Sequence, residues 1–148
     1  MKINELGWIK KLFIEHNPDE LREGYVFTID CEPLEPRSFQ PLCWYDVDIE
    51  ALLKNSDDDV YECPSVAYCT CGYVDCDSVR AIVEFKDEEV IWTLFILHEY
   101  RVLKSAKESQ TGKYIFSKEQ YFQAINSLKE AVERDDLISQ QKKNWKGR

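Results

Sequence analysis

Val79-Arg80-Ala81-Ile82-Val83-Glu84-Phe85-Lys86-Asp87-Glu88-Glu89-Val90-Ile91-Trp92-Thr93-Leu94-Phe95-Ile96-Leu97 decides the fold. Val79, Ala81, Val83 and Phe85 alternate with Arg80, Glu84 and Lys86, and a backbone of period two gathers such residues on one face. Asp87-Glu88-Glu89 makes a polar turn, and Val90 to Leu97 returns as a β-branched and aromatic run, so the stretch reads as an antiparallel hairpin over about 78–97. A two-residue and a four-residue turn both pair Phe85 with Val90 and Val79 with Ile96. The second strand is apolar on both faces, with Val90, Trp92, Leu94 and Ile96 against Ile91, Phe95 and Leu97. That pattern belongs to an interior strand covered on both sides.

Downstream, Ser105 to Lys113 is polar and reads as a loop with its tip at Thr111-Gly112. Tyr114-Ile115-Phe116 leads into Ser117-Lys118-Glu119-Gln120, a capping box in which Ser117 accepts from the third helical N–H and Gln120 reaches back. Tyr121, Ile125, Leu128 and Val132, broadened by Ala124 and Ala131, give an amphipathic helix over about 118–134 whose stripe faces the core. Upstream, Gly24 to Cys31 reads as a strand and Asp46 to Lys54 as a short helix. Ile3, Leu6, Ile9 and Phe13 have helical spacing, while Leu12-Phe13-Ile14 before Asn17-Pro18-Asp19 suits the end of a strand; the helix is the reading preferred here. The expected fold is a single α+β domain over 1–138, an antiparallel sheet with the central hairpin packed by the C-terminal helix. Residues 139–148 are a basic tail expected to fray.

A chain of 148 residues fits one domain and buries about 70% of the surface its unfolded form exposes. The N-terminal apolar run is broken by Asn4, Glu5, Lys10 and Lys11, which suits neither a secretory segment nor a membrane span and gives a cytoplasmic expectation. The 28 acidic residues outweigh the 19 basic ones to a net charge of −9. Four basic groups (Lys142, Lys143, Lys146, Arg148) lie in the tail, so the body is more acidic still. That balance disfavours direct nucleic-acid binding and anionic membranes and favours a basic protein partner. The acids cluster at Asp46, Asp48 and Glu50, at Asp57, Asp58, Asp59 and Glu62, at Asp75 and Asp77, and at Asp87, Glu88 and Glu89. Such clusters are either solvated loops or a binding face. Asp57, Asp58, Asp59, Glu62, Asp87, Glu88 and Glu89 are the partner-binding candidates.

The chain has six cysteines, which a reducing cytosol keeps as thiols or metal ligands. Cys31 and Cys43 read as small core residues. Cys69-Thr70-Cys71-Gly72-Tyr73-Val74-Asp75-Cys76 is more specific, with Cys63 upstream. On an extended backbone Cys69 and Cys71 leave the same face, and Gly72 can take the positive φ of a turn towards Cys76. The hairpin register, continued, puts Asp77 opposite His98, one of two histidines. Cys69, Cys71, Cys76 and His98 thus form a candidate Cys₃His site for a structural zinc ion, with bonds to sulfur of about 2.3 Å. Cys63 is the alternative fourth ligand, and Cys76 must lie in the turn leading into the hairpin for the site to close. The alternatives are buried, metal-free thiols with His98 hydrogen-bonded to Asp77, or a redox thiol beside Arg80.

Cys69-x-Cys71-Gly72-x3-Cys76, the strand Ala81-Ile82-Val83, Val90-x-Trp92-x2-Phe95, His98, and Tyr114-x-Phe116-Ser117-x2-Gln120-Tyr121 resemble a family of small, uncharacterised bacterial proteins. Its marks are a CxCGxxxC segment, a VxWxxF strand followed by a histidine, and a C-terminal FxxxxY helix. The resemblance covers about 69–128, with Asp75 departing from it, and implies the cysteine site and the architecture, without an activity. Three function classes stand. One is a non-catalytic acidic binding protein, an inhibitor or immunity-type protein that neutralises a basic toxin or nuclease. The second is a zinc-stabilised adaptor, and the third a small metal-dependent enzyme using Asp77 with His98. Five glycines, no phosphate-binding loop and no nucleophile motif leave no residue assigned to catalysis.

Overall fold

The hairpin forms in the expected register. A computed structural model of the chain describes residues 2–14, 21–34, 39–40, 46–56, 63–69, 78–97 and 110–135. In chain order the elements are β1 (Leu6–Ile14), β2 (Leu21–Ile29), β3 (Glu32–Pro33), β4 (Phe39–Gln40), α1 (Asp46–Ala51), β5 (Ser65–Cys69), β6 (Ser78–Phe85), β7 (Glu89–Leu97), β8 (Gln110–Ser117) and α2 (Lys118–Arg134). Phe85 pairs with Val90 and Val79 with Ile96. Lys86 and Glu89 exchange backbone hydrogen bonds of 2.9 and 3.3 Å, leaving Asp87-Glu88 as a two-residue turn. β7 lies between β6 and β8, the interior position its two apolar faces require. Trp92 and Phe95, of opposite parity on this strand, are both 0% exposed.

α2 spans the expected residues, and Ser117 Oγ accepts from the Gln120 N–H at 3.3 Å. Tyr121, Ala124, Ile125, Leu128 and Val132 are buried, each large apolar side chain among them contributing about 1.5–3 kcal/mol. They close one core with Val83, Trp92, Phe116, Leu6 and Phe27. Trp92 organises its centre, meeting Phe27, Phe116 and Tyr121 edge-on at centroid distances of 5.5, 5.2 and 5.9 Å. This is the preferred quadrupole geometry for aromatic pairs. The Trp92 indole N–H donates to the Tyr121 hydroxyl (3.0 Å), which donates to the Leu52 carbonyl (2.6 Å). All three residues are fully buried, so this polar chain ties the sheet to α2 and to the end of α1.

The α+β class holds, with antiparallel strands and a C-terminal helix, and three particular expectations are corrected. Residues 6–14 are a strand, not a helix, pairing with β2 from Leu6↔Ile29 to Ile14↔Leu21. The helical spacing is incidental: Leu6 is buried, whereas Ile3 and Ile9 are 49% and 41% exposed. Long-range pairing outweighs local pattern here, and Gly7 suits it, since a Cβ there would sit 2.7 Å from Thr28 Oγ1. The strands form two sheets, β1-β2-β3 and β4-β5-β6-β7-β8. Asn4 makes a parallel bridge to Phe116 of β8 just before the chain enters β1, so one run of backbone serves both sheets. Second, residues 110–113 belong to β8, and its pairing with β7 shifts between Leu94↔Gly112 and Phe95↔Gln110. The extra residue at this irregularity is Thr111, while the glycine that had suggested a loop tip pairs with Leu94. Third, Cys31 is exposed at the β2–β3 turn, not in the core. Cys43, the Asn17-Pro18-Asp19 turn, the Asp77–His98 pair and the 139–148 tail lie outside the described residues. Among the described residues no helix is long and apolar enough to cross a membrane.

Candidate functional site

The cysteine segment connects β5 to β6. β5 pairs with β6 through Tyr68↔Ser78, and β6 pairs with β7 through Ser78↔Leu97. Three strands therefore end side by side, with Cys69 the residue after Tyr68 and His98 the residue after Leu97. Cys69 closes β5, where its backbone also pairs with Phe39 of β4. Cys71, Cys76 and His98 lie outside the described residues. Among the described residues no three His, Cys, Asp or Glu side chains are grouped to hold a metal.

Cys63 is buried, and its carbonyl accepts from Arg80 Nη1 at 3.0 Å. The Pro64 carbonyl accepts from the Ala81 N–H at 3.0 Å. The five-residue strand Ser65–Cys69 ends on Cys69 and begins just after Cys63, and at about 3.3 Å per residue it holds the two cysteines well over a zinc site's width apart. His98, the other fourth-ligand candidate, follows β7, which ends level with Tyr68 but with β6 between the two strands.

The second candidate is acidic. Asp87 and Glu88 are exposed at the hairpin tip and Glu89 is half-buried. The tip is built firmly. The Lys118 N–H donates to the Glu88 carbonyl (2.9 Å), Lys118 Nζ donates to the Asp87 carbonyl (3.2 Å), and the same ammonium lies 5.9 Å from the centroid of the Phe85 ring. Lys86 Nζ is 3.8 Å from Glu84, an exposed pair of the kind worth only about 0–1 kcal/mol. Two cations therefore stand beside the tip acids without covering them. Along the edge of β6, the Phe85 N–H donates to Asn55 Oδ1 (2.7 Å), and Ser56 and Val83 exchange two bonds of 2.9 Å. This fastens the chain immediately ahead of Asp57; Asp57, Asp58, Asp59 and Glu62 lie outside the described residues.

Two features escaped the sequence reading. Gln120 does not complete the capping box: its side-chain amide accepts from the Leu6 N–H at 2.9 Å and donates to the Leu6 carbonyl. It occupies the place a neighbouring strand would take on β1. Beside it, Leu6, Gly7, Trp8, Gln123, Ala124 and Ser127 line an open groove of about 460 Å³ that holds no titratable side chain. Trp8 Nε1 donates to Ser127 Oγ across one end at 2.8 Å.

The other feature is Asp30, at the turn between β2 and β3. Its carboxylate accepts from Asn4 Nδ2 (2.7 Å), from the Glu5 N–H (2.8 Å) and from Lys2 Nζ (3.2 Å). The Asn4 amide, then the Glu5 N–H, and more weakly Lys2, hold its carboxyl below the ordinary value of 3.8. An aspartate in a turn is legible in sequence; its partners, 25 and 26 residues away, are not. A scan of protein-family models found no match to the chain, and searches of curated proteins and of solved structures found none either.

Proposed function

We propose that the protein is a non-catalytic acidic binding protein that captures a basic protein partner, in the manner of an inhibitor or immunity-type protein, in the cytoplasm. The observation that carries this reading is the Asp87-Glu88-Glu89 tip, displayed on a hairpin that is anchored close behind the turn by the buried Val83–Trp92 pair. A turn whose backbone is already held by Lys118 needs little ordering on binding. Its acids also focus the field of a −9 chain on an approaching cation, which raises association rates by about 10-fold or more. The test starts from a partner co-purified with the tagged chain from its native cells. Its association rate is then measured by stopped flow at low and high salt, against wild type and against Asp87→Lys/Glu88→Lys/Glu89→Lys. Slower association, a flattened salt dependence and an unchanged melting temperature are expected. A captured partner whose association ignores both salt and the reversal overturns the reading.

A zinc-stabilised adaptor is the second reading, favoured by one observation: Tyr68, Ser78 and Leu97 align across three strands next to Cys69 and just before His98. In that case a metal held by Cys69, Cys71, Cys76 and His98 would join the strand ends and supply folding free energy directly.

A further inference from the structure

Residues 2–5 are attached to the body almost entirely by polar bonds. Ile3 is 49% exposed and the Lys2 side chain 76% exposed, so burial of apolar surface contributes little. Among the described residues, the backbone joins β8 through Asn4 alone. Its N–H donates to the Ile115 carbonyl at 2.6 Å, and its side-chain Oδ1 accepts from the Ile115 N–H at 3.1 Å. Two residues further, at Leu6, the chain is buried and doubly bonded to Gln120. The pivot therefore lies between Glu5 and Leu6.

We propose that residues 2–5 are a releasable strap, that the Asp30 carboxylate is its clasp, and that opening it uncovers the outer edge of β8 at Ile115. Three donors from the strap converge on that one carboxylate: Asn4 Nδ2, the Glu5 N–H and Lys2 Nζ. Asn4 is the shared member, bonded to Asp30 with one end of its amide and to Ile115 with the other. Loss of the Asp30 charge loosens Asn4 and, through it, the pairing with β8.

The clasp also sits on a strained support. Asp30 and Cys31 have φ of 54° and 68°, a left-handed pair that two-residue hairpin turns normally fill with Asn-Gly. The bonds to the strap offset part of that strain, so turn and strap hold each other. The charged and titratable groups on the meeting elements are Lys2 and Glu5 of the strap, Cys31 and Glu32 of the turn, and Lys113 and Tyr114 of β8. Of these, the described ion pair with Asp30 is that of Lys2. Once released, the Ile115 N–H and carbonyl present an open sheet edge, the kind that accepts an added strand.

Residue-resolved amide hydrogen exchange tests this on the whole chain. In Asp30→Asn, protection at Asn4, Glu5 and Ile115 should fall at least about 10-fold, a coupling of roughly 1.4 kcal/mol, while Trp92 and Ile125 keep theirs. Lys2→Gln should do less, because the two amide donors remain. In wild type the same three amides should hold as pH falls and lose protection only below the ordinary carboxylate value of 3.8, since the folded carboxyl titrates lower. Unchanged protection in Asp30→Asn, or an equal loss at Trp92 and Ile125, overturns the strap: in the first case the carboxylate is no clasp, and in the second residues 2–5 are an inseparable part of the fold.

Discussion

Replacing Tyr121 by phenylalanine removes one oxygen from the centre of the molecule. The ring stays, with its contacts to Phe116 at 5.8 Å and Phe85 at 6.1 Å, so the loss is polar. The Trp92 indole N–H and the Leu52 carbonyl, bonded to that hydroxyl at 3.0 and 2.6 Å, are left in a site that water does not reach. Each orphaned group costs about 1–3 kcal/mol, so a loss of about 2–4 kcal/mol is expected. That is a large share of the 5–15 kcal/mol or so that holds a domain of this size together. Equilibrium urea unfolding at constant m reads it out, and the same exchange in a Trp92→Phe background isolates the coupling. There the indole donor is already gone, so Tyr121→Phe should cost at least about 1 kcal/mol less. A single-variant loss below about 0.5 kcal/mol, or strict additivity, would refute the hydroxyl as the keystone. The pH dependence gives an independent check. Burial pushes the Tyr121 phenol far above its ordinary value of 10.0. Above about pH 10 the unfolded chain therefore releases a proton that the native state retains, and stability falls as pH rises. Tyr121→Phe should remove this share of the alkaline loss.

Gln120→Ala should cost about 1–3 kcal/mol by stripping both bonds from the Leu6 backbone; Gln120→Glu should recover little, because a carboxylate faces the Leu6 carbonyl without a donor. Gly7→Ala, forcing a Cβ to 2.7 Å from Thr28 Oγ1, should cost about 1–3 kcal/mol in thermal or urea unfolding. Trp92→Ala should cost about 3–5 kcal/mol, and Asp87→Asn at the exposed tip almost nothing. Elemental analysis of protein purified without added metal should find about one zinc per chain if the Cys₃His site is real, and Cys71→Ser should then lower the melting temperature sharply. Zinc near zero in chelator-free preparations, with thiols unreactive until unfolding, rules that site out.

The hairpin and the helix were legible because their signals are local. Alternation across Val79–Phe85 and the stripe Tyr121, Ile125, Leu128, Val132 each reach over a few residues, and the turn between Phe85 and Val90 leaves little choice of register. Trp92 followed from that register, and its full burial agrees. The N-terminal strand was not legible, because its face is chosen by β2 and by α2. Leu6 meets Gln120 across 114 residues and Trp8 meets Ser127 across 119. The spacing of Ile3, Leu6, Ile9 and Phe13 carries no trace of either. Gln120 misled for a related reason: its position after Ser117 predicts a local bond, and the side chain takes a distant backbone with two unsatisfied groups instead. Of the candidate sites, the acidic tip and the strand ends around Cys69 fall on described residues, and Asp30 had no visible partner in the sequence.

The bond between Leu6 and Gln120 also sets an order of events during synthesis. Closing a loop of 114 residues costs on the order of 4 kcal/mol in chain entropy before any contact repays it. β1 leaves the ribosome well ahead of α2, and its edge at Leu6 stays uncovered until α2 has been made. At about 5–20 residues per second, that interval lasts from several seconds to some twenty. Throughout it, the nine-residue strand Leu6–Ile14 is an apolar ribbon open to any neighbouring chain, guarded by Lys10 and Lys11, the charged residues that blunt such edges. A nascent chain arrested before Ser117 should therefore stay bound to chaperones or aggregate, and one released after Arg134 should not.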